Sequence, residues 1–243
     1  MQIVLFTDFG SADLYVGQVH AVLAAEAPDI GIVDLLHDAP RFDARAGAHL
    51  LAALTPQLRT PSVVLAVVDP GVGGARDAVA VRCGAHWLVG PDNGLLSVAV
   101  ARTSQAAAYT ITWRPGLLSP TFHGRDLFAP VAARLARGDD PASLLAPRER
   151  LSVQFSDGDL AEVIYVDHYG NAITGLRAGD GLHDARLQAG GRNLARARTF
   201  SDVPAGSAFW YVGSLGLVEI AVNGGSAADV LGLGIGDAVS VLT

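Results

Sequence analysis

The sequence predicts an α/β domain built on a mostly parallel sheet, followed by a smaller all-β domain. Three observations carry this expectation. Short apolar runs alternate with longer amphipathic stretches through residues 1–137. The runs are apolar throughout, as in strands covered on both faces. From residue 151 the pattern changes to short alternating segments rich in glycine, as in a small β fold.

The elements follow in order. IVLF at 3–6 reads as a buried strand, and residues 15–27 as a helix ended by Pro28. IGIVDLL reads as a second strand. Asp43 is placed to cap a helix running to Leu54, just ahead of Pro56. SVVLAVV is a third buried strand, and AVAVRC and HWLVG are strands joined by a tight turn. Residues 94–102 read as helix, AAYTITW as strand, and 124–137 as helix closed by Gly138. The Pro/Asp/Arg-rich stretch 138–150 reads as a linker or surface excursion, which divides the chain into domains 1–150 and 151–243. AEVIYVD, AFWYVG, LVEIAV and AVSVL then give a small β-sandwich or barrel.

Composition narrows the chemistry. Half of the 243 residues are hydrophobic, enough for real cores. The longest apolar run, 63–68, is far short of the roughly 20 residues that span a bilayer. The opening MQIVLFTDFG lacks a cationic segment and does not read as a signal peptide. A single cysteine, Cys83, forms no internal disulfide and no thiolate metal cluster. A cytoplasmic protein is the expectation. All 17 basic residues are arginine, so a Walker lysine, a Schiff base and a pyridoxal anchor are excluded. The net charge of −7, without a basic cluster, argues against nucleic acid and suits a cationic ligand.

Ligands of open α/β sheets bind beyond the carboxyl ends of the strands. Polar residues stand there at Asp8, His37, Asp69 and Asp92. Asp92, in PDNG, reads as turn chemistry, and His37 as either a core histidine or a site residue. Asp8 and Asp69, between apolar strands and glycine-containing turns, read as functional. The segment DPGVGGAR at 69–76 sets Asp69 and Arg76 around glycines that allow a ligand close to the backbone. It resembles the metal-binding loop of nucleoside hydrolases, but glycines replace that family's acid pair. TFHGRD at 121–126 places His123 just outside a helix N-terminus, where an imidazole tends to stay neutral and suits a hydrogen-bonding or base role; on its own the segment reads equally as a capping loop with an incidental histidine. Arg125 and Asp126 read as a pair with each other or as caps of the helix. In the second domain, DHYGN at 167–171 follows a strand with an acid, an aromatic and an amide together. GSLG at 213–216 and NGGS at 223–226 fit ordinary hairpin turns equally well.

Taken together, TDFGSADLYVG, VVDPGVGGAR, VGPDNGLLS, TFHGRDLFAPVAA, VDHYGNAIT and GSLGLVEIAVNGGSAA, in this order, resemble the S-adenosylmethionine hydroxide adenosyltransferases. These are water-using relatives of the fluorinase and chlorinase enzymes. The resemblance implies a Rossmann-like three-layer α/β domain, a barrel-like β domain, and a homotrimer with sites between subunits. It implies a catalytic set of Asp69, Arg76 and His123. The ribose diol would fall to Asp8, and the methionine amino group to Asp13 and Asp167. Ring-packing positions match Phe42, Tyr169 and Phe200, with Phe122 nearby. Asn171, Ser214, Glu219, Val222 and Asn223 match the remaining ligand-lining positions. Phe42 stands where the halogenases carry tryptophan, and Leu215 where the fluorinase carries arginine. The halogenases lack the acid and the histidine found here at Asp69 and His123, and the fluorinase's inserted loop has no room between Cys83 and Val89. Hydroxide rather than halide is therefore the implied nucleophile.

These residue types suit the implied reaction. The carbon beside a sulfonium is already electrophilic, and methionine leaves as a neutral thioether, so neither metal nor cofactor is expected. An aligned, partly deprotonated water is what the site must supply. Two rivals stand beside this reading: a metal-dependent nucleoside hydrolase, and a non-catalytic adenosylmethionine-binding protein. The (R)-sulfonium epimer is a reasonable substrate, since family members clear it.

Overall fold

The computed structural model describes residues 1–179, 182 and 185–242. The chain divides into two compact units, Met1–Asp157 and Gly158–Thr243.

The first unit holds a seven-stranded sheet of β1 (Gln2–Thr7), β2 (Ile32–Leu36), β3 (Ser62–Val67), β4 (Ala78–Cys83), β5 (His86–Pro91), β6 (Ala106–Ile111) and β7 (Leu145–Arg148). Their order is β2-β1-β3-β5-β4-β6-β7. The first four neighbours pair in parallel, and β4, β6 and β7 continue antiparallel. Five of the seven strands thus run in one direction, and the parallel half carries the chain ends that matter for function.

Helices α1 (Leu14–Glu26) and α4 (Ala129–Arg137) pack together, as do α2 (Ala44–Leu54) and α3 (Ser97–Ala101). Leu23 of α1 and Val131 of α4 share one core with Ile3, Leu5, Val63, Leu65 and Val89. The alternate residues Val4, Phe6, Val64 and Ala66 are equally buried, so the middle of the sheet is covered on both faces. Asp43 caps α2 as its sequence predicts, accepting from the Arg45 and Ala46 amides at 3.0 and 2.9 Å.

Three local features differ from expectation. The segment read as a linker contributes β7, whose Pro147 is tolerated because the strand forms the sheet edge. β2 is the opposite edge and is half exposed rather than buried. The helix expected over 124–137 begins with a π turn at Gly124–Phe128, closed by the Ala129 amide on the Gly124 carbonyl. Pro130 has no amide to return to the Asp126 carbonyl, so the ladder widens there.

The second unit contains β8 (Leu160–Val166), β9 (Ala172–Arg177), β10 (Arg186–Ala189), β11 (Arg192–Leu194), β12 (Ala208–Val212), β13 (Leu217–Val222) and β14 (Ser240–Leu242), with a short α5 (Ala227–Leu231). They form two antiparallel sheets, β12-β13-β9-β8 and β11-β10-β14. Isolated bridges pair Glu162 of β8 with Ala238 and Trp210 of β12 with Arg196, residues just outside β14 and β11. Trp210, Val163, Leu187, Ile220 and Ala227 lie in one buried core between the strands. Among the described residues, no helix is long and apolar enough to cross a membrane.

Candidate active site

The carboxyl ends of β1 and β3 bring Asp8 and Asp69 to one mouth of the sheet, with the Asp8 amide donating to the Val67 carbonyl at 3.2 Å. Loop 119–124 joins them from the start of the π turn. It approaches loop 69–76 so closely that a Cβ at Gly73, where φ is +79°, would stand 2.4 Å from the Pro120 carbonyl oxygen. Only glycine fits that crossing. The loops enclose a cavity of about 450 Å³ lined by Asp8, Asp13, Phe42, Asp69, Phe122 and His123, among others.

Asp69, Arg76 and His123 meet in space. Arg76 Nε donates to both Asp69 oxygens at 3.0 and 3.1 Å, and its Nη2 also donates to Asp69 Oδ2. The same Nη2 lies 3.1 Å from His123 Nδ1. Arg76 can only donate, so Nδ1 must accept and the neutral ring carries its proton on Nε2. Burial and the Arg76 cation both hold the His123 pKa below the usual histidine range. The imidazole is therefore neutral at pH 7, as its sequence position predicts. The causes are burial and the arginine rather than a helix dipole. The Asp69 and Arg76 side chains are only 5 % and 12 % exposed. The Arg76 guanidinium also stacks over the Phe128 ring at 5.3 Å.

Asp8 faces the same cavity. Partial burial raises its pKa above the ordinary carboxylate value, the Phe42 amide counters this, and the nearby Asp69 charge adds to it. Phe42 donates that amide to Asp8 Oδ2 at 3.2 Å. It does so with φ of +59°, the one positive value at a non-glycine among the described residues, and its ring is 75 % exposed. Phe122 packs edge-on against Phe9 and Tyr15, with centroids 5.7 and 5.3 Å away. Asp13 lines the cavity and also caps α1, accepting from the Leu14 amide at 2.6 Å.

In the second unit, Asp167, Tyr169, Asn171, Phe200 and Val222 line a separate cavity of about 590 Å³ together with Tyr211. Asp167 organises its own turn, accepting from the Tyr169 and Asn171 amides and from Asn171 Nδ2, each at 2.9 Å. Glu219 is buried and accepts from the Tyr211 hydroxyl. Burial pushes its carboxyl above the usual range, and the Asp167 charge adds to this. A Cβ at Gly213 would overlap Glu219 Oε1, which accounts for that glycine. Ser214 lies at the exposed tip of the β12–β13 hairpin, and Asn223 ties back to the Val203 carbonyl at 2.8 Å. Neither is among the residues lining this cavity.

Two other sequence candidates have structural roles. Asp92 is buried and holds Arg148 at 3.0 Å and the Ser152 amide. Arg125 pairs with Asp126, as expected, and reaches Gln18 at 2.8 Å. Phe9, Tyr15 and Arg41 line the first cavity without having been singled out in the sequence. Tyr15 carried no signal beyond its helix, and Arg41 none beyond its neighbour Phe42.

Comparison with known proteins bears on the whole chain. The SAM hydroxide adenosyltransferase N-terminal domain matches residues 3–145, and the corresponding C-terminal domain matches residues 161–240. The (R)-S-adenosyl-L-methionine hydrolase of Salinispora arenicola is 44% identical over 97% of this chain and 95% of its own. The (R)-S-adenosyl-L-methionine hydrolase of Thermus thermophilus is 44% identical over 97% of each chain. The crystal structure of an uncharacterized conserved protein from Thermotoga maritima superposes over 100% of both chains with a TM-score of 0.91 and 32% identity. With both domains matched in order and full-length relatives at this identity, the chain belongs to the SAM hydroxide adenosyltransferase family.

Proposed function

We propose that this protein hydrolyses (R)-S-adenosyl-L-methionine to adenosine and L-methionine in the cytoplasm. The observation that carries this is the contact of Asp69, Arg76 and His123 at a cavity that Asp8 also lines. The relatives that cover nearly the whole chain carry the same activity in their names. The rival nucleoside-hydrolase and non-catalytic readings have no such support.

In this reading water attacks C5′ of the ribose opposite the sulfur. The O–C5′ bond forms as the C5′–S bond breaks, and the bonding pair leaves with sulfur as a neutral thioether. Asp69 accepts the water's proton, and His123 Nε2–H orients the attacking oxygen. Arg76 holds both partners and stabilises the developing hydroxide. Because Nδ1 is occupied by Arg76, His123 serves as a donor rather than as the base. Asp8 takes the ribose hydroxyls. Asp13 and Asp167 receive the methionine amino group, and Phe42, Phe122, Tyr169 and Phe200 pack the rings. Asn171, Ser214, Glu219, Val222 and Asn223 complete the binding surface. The neutral leaving group removes any need for a Lewis acid, so the step uses neither metal nor cofactor.

The same reading places the site between subunits of a homotrimer, with domain 1–150 as the catalytic domain and 151–243 as a barrel-like partner. Barrel-like closure is supported by backbone hydrogen bonds at both sheet edges, Val163 to Asp237 and Ala197 to Trp210, each 2.9 Å. The deciding experiment is turnover in ¹⁸O-labelled water without added metal. The label should appear in the 5′-hydroxyl of adenosine, with methionine formed in equal amount. Label in methionine, or release of free adenine, would overturn the displacement.

A further inference from the structure

Away from the adenosyl cavity, three side chains converge that the reaction does not use. His20 projects from α1, Asp34 from the edge strand β2, and His37 from the turn after it. His20 Nε2 lies 2.7 Å and His37 Nε2 3.0 Å from the same Asp34 oxygen, Oδ1. One donor atom from each residue falls within 4.8 Å of the others. None of the three lines either cavity. From the linear order the set is invisible, because α1 must fold back along β2 before His20 reaches the other two.

We propose that His20, Asp34 and His37 bind a divalent transition-metal ion, with zinc as the fitting class. Two imidazole nitrogens and one carboxylate oxygen are a donor set for zinc and its neighbours rather than for magnesium or calcium, which require oxygen shells. Tetrahedral coordination at zinc distances sets ligand atoms roughly 3.3 Å apart. The two contacts to Asp34, at 2.7 and 3.0 Å, lie just inside that value, and all three donors fall within 4.8 Å of one another, so side-chain adjustments bring them to it. His20 is 35% exposed and has room to adjust.

The surroundings prepare the site. His37 is buried, and its Nδ1 lies 2.9 Å from the Thr7 hydroxyl. His37 Nε2–H here donates to Asp34 at 3.0 Å; with an ion in that place the ring carries its proton on Nδ1 instead, where the Thr7 hydroxyl can accept it, the usual support behind a metal-bound histidine. Asp34 Oδ1 already faces both imidazole nitrogens, so the same oxygen is the one an ion between them would meet. At 47% exposure its outer side leaves a fourth coordination position to water. The ion would clamp α1 to the open edge of the sheet. It would also brace the backbone at His37, whose carbonyl accepts from the Gly10 amide at 2.7 Å.

The test uses the full-length, untagged protein, stripped with a chelator and titrated with zinc chloride by calorimetry. One ion per chain should bind with micromolar or tighter affinity, and magnesium chloride should give no heat. Asp34→Asn and His20→Ala change exposed positions, so both variants should fold, and each should weaken zinc binding at least tenfold. At a hundredfold excess of zinc over Kd, wild-type protein should melt about 5 °C higher, and the two variants should not. Absence of zinc binding in wild type, or unchanged affinity in both variants, would overturn the assignment. The readout is binding and melting, so the result is independent of whether the protein hydrolyses adenosylmethionine.

Discussion

Arg76 bridges two side chains at once: it grips both oxygens of Asp69 while its Nη2 sits 3.1 Å from His123 Nδ1. A single guanidinium therefore orients the acid and selects the imidazole tautomer. Lysine has the charge but a single donor point, and cannot reproduce that fork. Arg76→Lys should lower the single-turnover rate by about a hundredfold, with adenosine affinity nearly unchanged. A rate close to wild type would show that charge alone suffices and that the bridge is incidental.

Asp69→Asn keeps the shape of the side chain and removes its charge. If Asp69 takes the proton of the attacking water, the rate should fall by about 10²–10⁴ while substrate binding largely survives. Combined with His123→Ala, the loss should be far smaller than the product of the single losses, because the residues act as one unit. Pre-steady-state kinetics on the three variants would decide this. Fully multiplicative losses would mean that the two residues act separately.

How far the sequence discloses this site depends on what each residue needs from the fold. Asp8 and Asp69 are legible because strand ends in α/β sheets carry ligand groups by construction. The glycines of 69–76 announce a close approach, and at Gly73 the approach is to Pro120. The coupling of Arg76 to His123 spans 47 positions, and nothing local encodes it. Only the family resemblance links the two residues. The π turn, the strand at Leu145–Arg148 and the positive φ of Phe42 are tertiary outcomes that override local pattern. Asp92 shows the opposite case, where turn chemistry read from PDNG coexists with a buried ion pair to Arg148.

Phe42 holds a left-handed conformation that a side chain with a Cβ adopts at a cost of about 1–2 kcal/mol. What the conformation achieves is the amide bond to Asp8. Phe42→Gly should remove the strain and lose little packing, since the ring is 75 % exposed. Its melting temperature should therefore equal or exceed that of wild type, while KM for adenosylmethionine rises. A variant that melts well below wild type would show that the exposed ring stabilises the fold rather than the substrate.

His123 must stay unprotonated at Nδ1 to accept from Arg76. Because burial and the neighbouring cation lower its pKa, activity should hold as pH falls past the usual histidine value of about 6.5 and drop only below it. Stability follows the same sign. A depressed pKa means that the unfolded chain binds the proton first, so this contribution is present above the ordinary value and lost as pH falls through the folded one. The pH dependence of kcat, with His123→Gln as the control lacking that limb, measures it. An inflection at or above the ordinary value would contradict the tautomer assignment.

Asp8 carries the opposite sign, which gives the most discriminating test of a site held in tension for its ligand. Its raised pKa, caused first by burial and increased by Asp69, means that the folded protein resists the ionised form at neutral pH. The charge is nevertheless what a ribose diol requires as a double acceptor. Asp8→Asn retains an oxygen to accept from the Phe42 amide and removes the charge facing Asp69. The variant should therefore melt higher than wild type at pH 7, yet bind adenosine more weakly. As pH falls into the carboxylate range, Asp8 of the wild type takes up its proton and the stability advantage of the variant should shrink toward zero. Thermal melts of both proteins from pH 7 to pH 4, beside adenosine titrations at pH 7, make the comparison. A variant that is less stable at every pH, or that binds adenosine as tightly as wild type, would remove Asp8 from the ribose-binding role.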